Sequence, residues 1–541
     1  MFNESLTIWG VMTACPVTGL KHDQVIEIRD GMIHRIYQAL PNLKENLVES
    51  DYIVQIKNAT VIPGLFDTHC HFVSTGLLAV ACDLNQCLSI DQVIGQLEEY
   101  RQVAPLGTWI YGVRFDDFKL KEKRAPTMVE LDRAFPDIPV FLEHRGYHFG
   151  VVNSATLRRV AQTSGLRGLE SSSSILPNGV VEKQAIGRIR TLIRMSAMGE
   201  VDNGILKAAA REALQSGITF IHTVEGGELF GDEDISIIHD MLDDLPIRVN
   251  LIWATTNLDL VHQMGLRGIG GDILVDGTIG SHTAAISHPY QDRPGTCGTL
   301  YLSEEEVTRF YTKAVEAGLQ ASVHAIGDRA IGLALRAIAR AQRSLNRKDG
   351  LFRIDHFGLP SLDQIQRAAD LGVSIATQPP FTYLRGQPGG VYDARLGRER
   401  LINAYPLRDI VNAGILMAGG SDSPVVPISG ILGLHSCINN PFPKQRLTPL
   451  EALTIYTLNG AKLTGKEEVL GSIEVGKIAD LVVLDGNPLD SPSQKINDLH
   501  VLLTIVGGEI VYQSPDLPKR VLLSKRRKDE QTRIQFNTSL V

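Results

Sequence analysis

The sequence predicts an α/β protein: a (β/α)8 TIM-like barrel with a small β-sandwich domain formed by its N- and C-terminal segments. Three observations predict it. From residue 200 onward, short β-branched runs alternate with amphipathic helical windows, and eight such alternations imply a parallel sheet closed on itself. One apolar run ends in His69-Cys70-His71, and later runs end in further His and Asp residues. The two chain ends lack helical periodicity and carry short alternating strands broken by turns.

In order along the chain, residues 24–29 and 32–36 are strand candidates around the turn Asp30-Gly31. Residues 61–71 form the first barrel strand. The remaining seven are expected at 218–224, 247–254, 273–276, 321–325, 352–356, 373–377 and 415–418. Helical windows cover 204–215, 234–242, 304–317, 330–345, 363–369, 407–412 and 449–463. Ser303 ahead of three glutamates and Thr448 ahead of Pro449 and Glu451 are capping signals. Residues 481–484 and 502–506, followed by Asp485-Gly486 and Gly507-Gly508, are terminal strands. The expected division is a sandwich from 1–60 plus 465–541, a barrel over 61–464, and an insertion over 73–200. That insertion leaves the end of the first strand where active sites of this fold sit, and so is a candidate lid or substrate platform. The basic end, with Lys519-Arg520 and Lys525 to Lys528, is expected to be a frayed solvated tail.

At 541 residues, 43% hydrophobic and 21% charged, the composition is that of an ordinary globular enzyme. A formal charge of −8 argues against a general nucleic-acid or anionic-membrane binder, and no apolar run approaches a bilayer span. The first ten residues lack the basic and apolar regions of a signal peptide. The six scattered cysteines form no Cys-x-x-Cys pair and fit reduced thiols, so a cytoplasmic setting is expected.

On a strand, residues i and i+2 share a face, so His69 and His71 converge while Cys70 turns away. Two neutral imidazoles on a rigid strand end can begin a metal site. His324 and His356 end the fifth and sixth runs 32 residues apart, and Asp422 follows the eighth, 66 residues later. Five such groups on four of eight strand ends, all opening into one mouth, point to a metal centre.

The set resembles the amidohydrolase superfamily of metal-dependent hydrolases, in particular its third large family, the YtcJ-like proteins. The resemblance rests on Pro63-Gly64-Leu65-Phe66-Asp67-Thr68-His69-Cys70-His71, Val275-Asp276-Gly277-Thr278, Val323-His324-Ala325-Ile326-Gly327-Asp328 and Gly420-Ser421-Asp422-Ser423-Pro424. It runs from about residue 10 to 515. It implies that His69 and His71 bind metal, and that His324 and His356 are further ligands or carbonyl-polarising groups. It also implies that Asp422 touches metal-bound water as general base and carries the proton to the leaving amine. The implied cofactor is a divalent ion, zinc by preference. Where the pattern usually has a lysine that can bridge two metals, this chain has Asp272. Asp272 is a candidate metal ligand in place of that bridge, but the preferred expectation is that it opens the fourth strand from a loop, leaving one ion as the expectation and two as the alternative. His282, expected to bind substrate, replaces the usual Arg after Gly-Ser, putting a titratable group in place of a fixed cation that would recognise an anionic substrate. By the same resemblance His148 and Glu182, in the insertion, face the substrate. His144, Asp116 and Asp117 receive no role, and His222 is expected to be a buried structural histidine.

The function expected is metal-dependent hydrolysis of a non-peptide C–N bond in a small molecule: an amide, an N-formyl compound or a cyclic amide. Alternatives are a heterocycle deaminase on the same site, lactone or phosphoester hydrolysis, and a non-catalytic regulatory or binding protein. The partner expected is a small-molecule substrate, with neither nucleic acid nor membrane; a homodimer is an expectation of the family alone.

Overall fold

The computed structural model describes residues 5–39, 50–56, 58–103, 109–163, 175–182, 184–197, 202–227, 230–348, 350–515, 517, 522–527 and 530–533. Its centre is an eight-stranded parallel sheet in sequential order. The strands are Leu65–Cys70, Ile218–Glu225, Arg248–Trp253, Gly268–Leu274, Gln320–Ala325, Phe352–His356, Ser374–Thr377 and Met417–Gly419. They are buried along most of their lengths because helices cover the outside, which is why they appear in the sequence as continuous apolar runs.

The seam between the eighth and first strands closes through groups other than a regular ladder. Asp67 Oδ1 accepts from the backbone N–H of Ser421 (2.9 Å) and of His69 (3.2 Å). Asp422 N–H donates to His69 O at 2.7 Å, and Thr68 Oγ1 donates to Gly419 O at 3.0 Å. The barrel therefore closes at the sequence that carries the His pair.

The helices follow the expected windows, and the two expected caps are formed. Ser303 and Glu306 make a reciprocal capping box at the start of Glu304–Glu316, as do Thr448 and Glu451 at Pro449–Ile455. The window 449–463 is two helices, Pro449–Ile455 and Leu458–Leu463. The break falls where the Tyr456 carbonyl leaves the helix to accept from Phe66 N–H of the first strand (2.7 Å).

Two strand expectations change. The run 61–71 is not one strand: Thr60–Pro63 pairs antiparallel with Leu481–Leu484 in a different sheet, and the barrel strand starts at Leu65. An unbroken apolar run does not reveal a change of sheet when both sheets bury it. The fourth strand begins at Gly268, ahead of the expected 273, because its glycines belong to a bulge and not to a loop. Between the pairs Gly270–Ser322 and Leu274–His324, four residues advance against two. Gly270 has φ +101°, and a Cβ there would lie 2.0 Å from the Ser322 carbonyl oxygen, so only glycine allows this bulge.

The chain ends meet in a ten-stranded sheet with its own core, including Ile8, Ile26, Leu481 and Ile505. Leu6–Cys15 is shared between its halves, pairing with Tyr52–Gln55 through residues 6–9 and with Thr60 and Val61 through Met12 and Thr13. The expected solvated tail is corrected in part. Leu522–Arg527 pairs antiparallel with Tyr52–Gln55 and with Glu530–Arg533, satisfying an otherwise open edge. Lys519, Arg520 and Lys528 lie outside the described residues. Between the first and second barrel strands, Cys82–Asp83, Ile110–Phe115, Val140–His144, Phe149–Val152 and Val180–Glu182 build a separate five-stranded sheet. Among the described residues no helix is long and apolar enough to cross a membrane.

Candidate active site

At the C-terminal mouth of the barrel, each imidazole turns its Nδ1 side to an oxygen. His71 Nδ1 donates to Val224 O at 2.7 Å, and His356 Nδ1 donates to Gln378 Oε1 at 2.7 Å. His69 Nδ1 faces Asp355 Oδ2 at 3.4 Å, and His324 Nδ1 faces Asp276 Oδ1 at 3.7 Å. In His71 and His356 these bonds fix the proton on Nδ1 and leave the Nε2 lone pair free, which is the tautomer a metal ligand needs. The rings converge: centroids are 5.3 Å apart for His69–His71, 4.9 Å for His69–His356 and 4.4 Å for His324–His356.

Two carboxylates enter the same space. Asp422 Oδ1 lies 3.0 Å from His71 Nε2 and 3.5 Å from His69 Nε2. Asp272 presents Oδ2 to His71 Nε2 at 3.6 Å and Oδ1 to His69 Nε2 at 3.8 Å. Donors about 2.0–2.1 Å from a tetrahedral ion lie about 3.3 Å from one another; these four separations bracket that spacing. His69 Nε2 is fully buried and has no hydrogen-bond partner, an orphan that is costly unless a cation takes its lone pair. The donor set fits a divalent metal.

Asp272 is therefore not a loop residue at a strand start. The glycine bulge aims it inward, with its side chain only 6% exposed, and it groups with His69 and His356 as well as facing His71. His356 (φ +71°) and Asp422 (φ +58°) both hold left-handed backbone at strand ends, a conformation costly for non-glycine residues and concentrated at functional sites.

The electrostatics follow from burial and these contacts. Burial opposes charge on His69, but Asp355 and Asp422 outweigh it and raise its pKa well above the usual histidine value. Burial would also protonate Asp422, yet His69 and His71 hold its pKa well below the usual carboxylate range. Asp355 stays ionised, at about 2, because Arg353 and His69 overcome its burial. His148 is pushed down to about 3 by burial and then by His324, so it is neutral.

Behind the donors stands a layer that local sequence did not disclose. Fully buried Arg353 donates from Nε to Asp355 Oδ1 (2.5 Å) and from Nη2 to Thr68 O (2.7 Å), locking the carboxylate behind His69. Asp276 accepts from the backbone N–H of Ala285 (2.8 Å), Ile326 (2.9 Å) and Gly327 (2.7 Å), tying two loops beneath His324. Asp355 was visible only as the residue before His356, and Asp276 only as part of a motif. His222 is the buried structural histidine expected, accepting at Nδ1 from Arg353 Nη1 (3.3 Å).

The donors open into a cavity of about 790 Å³ counting its mouth, walled by barrel loops and the insertion. His148 lines it, with its ring 6.0 Å from that of His324. Glu182 does not line it, lying on the edge strand Val180–Glu182 opposite Phe149. His282 turns to the back of the wall, Nε2 on Asp292 Oδ1 at 3.0 Å, while its neighbours Gly280 and Ser281 face the cavity. Arg395, held by Asp292 and by Gly280 O (3.1 Å), supplies the cation there. Asp116, Asp117 and His144 also line the outer cavity, where Asp117 Oδ1 lies 3.2 Å from His144 Nε2 and Asp116 pairs with Arg145 at 2.6 Å.

The comparisons agree with this geometry. A sequence model described as the amidohydrolase family matches residues 53–512. The chain belongs to the amidohydrolase family. This amidohydrolase is 28% identical over 525 residues to the YtcJ amidohydrolase of Bacillus subtilis (strain 168), covering 91% of this chain and 96% of that protein. It is 26% identical over 497 residues to the N-substituted formamide deformylase of Arthrobacter pascens, covering 85% and 90% respectively. It also resembles the crystal structure of an uncharacterized metal-dependent hydrolase from Pyrococcus furiosus, with TM-score 0.70 and 25% identity over 90% of this chain and 100% of that one. The chain is accordingly a metal-dependent hydrolase of amidohydrolase fold.

Proposed function

We propose that this amidohydrolase cleaves a non-peptide C–N bond of a small amide, N-formyl compound or cyclic amide. The observation that carries the reading is the Asp422 carboxylate set against both His69 and His71 at the barrel mouth. His69, His71, Asp272 and Asp422 would hold one divalent ion, zinc by preference for a His/carboxylate set of this spacing. When bound, such an ion polarises a water molecule and the substrate's acyl oxygen.

The rest falls to the protein. Asp422, ionised and rigid, takes a proton from the attacking water on its carboxylate and returns it to the leaving nitrogen, so one group serves as base and then acid. His356 turns its Nε2 lone pair to the reacting centre, and neutral His148 borders the substrate from the insertion. The insertion and the barrel loops exclude bulk water, strengthening each electrostatic contact inside. The similarity to a formamide deformylase supports N-formyl compounds as the first class to try. Six cysteines without disulfides support a cytoplasmic setting.

The test is metal content of natively purified protein together with a panel of amides and N-formyl amines. About one equivalent of zinc and release of a carboxylate with an amine are expected. Two equivalents would overturn the single-ion assignment, and release of ammonia from a heterocycle would replace this reading with deamination.

A further inference from the structure

Four arginines are deeply buried around the barrel mouth and insertion, and three of them meet a carboxylate. Arg353 pairs with Asp355, Arg190 with Glu143 and Arg194 with Asp234. Arg385 is the exception. It is 8% exposed and lines the cavity, yet among the described residues no carboxylate lies within ion-pair distance of it. Its Nη2 donates to the Val425 carbonyl at 3.1 Å, and its buried Nε has no hydrogen-bond partner. A guanidinium is always charged, and a buried charge without a counter-charge is costly.

The position of Arg385 relates it to the reaction centre. It ends the helix Pro379–Arg385 that follows the seventh strand. Its guanidinium lies 4.8 Å from the centroid of the Phe381 ring, which is also stacked with His356, centroids 6.4 Å apart. On the other side, the Val425 residue that accepts from Arg385 donates its own N–H to the Asp422 carbonyl at 2.8 Å. Arg385 is thus held from both flanks of the proposed reaction centre, one aromatic ring beyond His356 and one turn beyond Asp422.

We propose that Arg385 binds a carboxylate on the substrate, so that the molecule cleaved is an N-acylated acid whose anionic end docks on Arg385 while its amide lies at Asp422. The inference deepens the C–N hydrolase reading and rests on it for the position of the amide. A carboxylate fits better than a phosphate ester: a single cation without a carboxylate partner matches one negative charge. Phe230 and Phe381 supply apolar surface in the same cavity, where the Tyr392 side chain sits beside Arg385.

The experiment compares N-formylphenylalanine with its methyl ester on the metal-loaded enzyme, reading formate release and, separately, binding by calorimetry. Wild-type protein should favour the acid by about 10- to 100-fold, the range of a charge-assisted hydrogen bond in a desolvated site. Arg385→Met should bring the ratio near one. Arg385→Lys, which keeps charge but loses the planar fork, should retain part of the preference and covers the case in which the methionine variant does not fold. Equal binding of acid and ester by wild type, or a preference unchanged in the variants, would overturn the proposal. Arg385-dependent binding of the acid without formate release would leave the carboxylate site standing and remove N-formyl cleavage. Equal formate release from both compounds would do the reverse.

Discussion

Replacing Asp355 by Asn tests whether the buried Arg353–Asp355–His69 chain organises the metal centre. Asp355 Oδ2 faces His69 Nδ1 at 3.4 Å, and Oδ1 accepts from Arg353 Nε at 2.5 Å, all three side chains being fully buried. Asparagine keeps the shape but loses the charge, so two costs follow. His69 loses the carboxylate that fixes its tautomer and enriches its Nε2; disturbing such outer partners weakens metal affinity about 10- to 100-fold. Arg353 loses its carboxylate and retains Thr68 O and His222 as hydrogen-bond partners. Breaking a buried pair from one side costs about 3–5 kcal/mol; the lower end applies here because the amide oxygen still accepts from Nε. Metal affinity is measured by competition with a chelating dye, and stability by urea unfolding of the metal-free protein. A metal Kd within twofold of wild type would refute the reasoning, because the histidine would then be oriented without Asp355.

Asp422→Asn should retain most of the metal yet lower kcat by about 10²- to 10⁴-fold, since an amide cannot carry the proton; near-normal turnover would exclude Asp422 as the base. Gly270→Ala should destabilise by about 3 kcal/mol or more and lower metal content, because the added Cβ meets the Ser322 carbonyl at 2.0 Å and displaces the bulge that aims Asp272. An alanine protein with normal metal content and unfolding midpoint would contradict that account. Glu451 is held at about 2, chiefly by Arg408 and against its burial, with the Thr448 cap assisting. A depressed carboxylate stabilises above its unfolded value of about 4.5, and that contribution is lost as pH falls towards 2. Glu451→Gln should therefore cost about 1–2 kcal/mol at pH 7, discounted for partial exposure, with the difference shrinking below about pH 4.5 and vanishing only as pH falls through about 2; a pH-independent difference would show that the cap alone matters.

Much of the scaffold was legible because its signals are local. Apolar runs, capping boxes at Ser303 and Thr448, and the two-residue spacing of His69 and His71 each depend on neighbours within a few positions. These determine a barrel with histidines at its mouth, together with the order in which His324, His356 and Asp422 arrive there. Tertiary structure alone decided which charges face the reaction. Asp272 looked like a loop residue because glycines normally break strands; here Gly270 builds the bulge that turns it inward. His282 and Glu182 sit in recognisable segments, but one points to Asp292 and the other lies on a sheet edge away from the cavity. Arg353, Asp355 and Arg385 carry no periodic or motif signal, since their meaning lies in partners distant in sequence or, for Arg385, in the lack of a carboxylate partner. Local sequence sets backbone direction and which face is apolar; the environment of a charge is set by what the folded chain brings to it, or withholds.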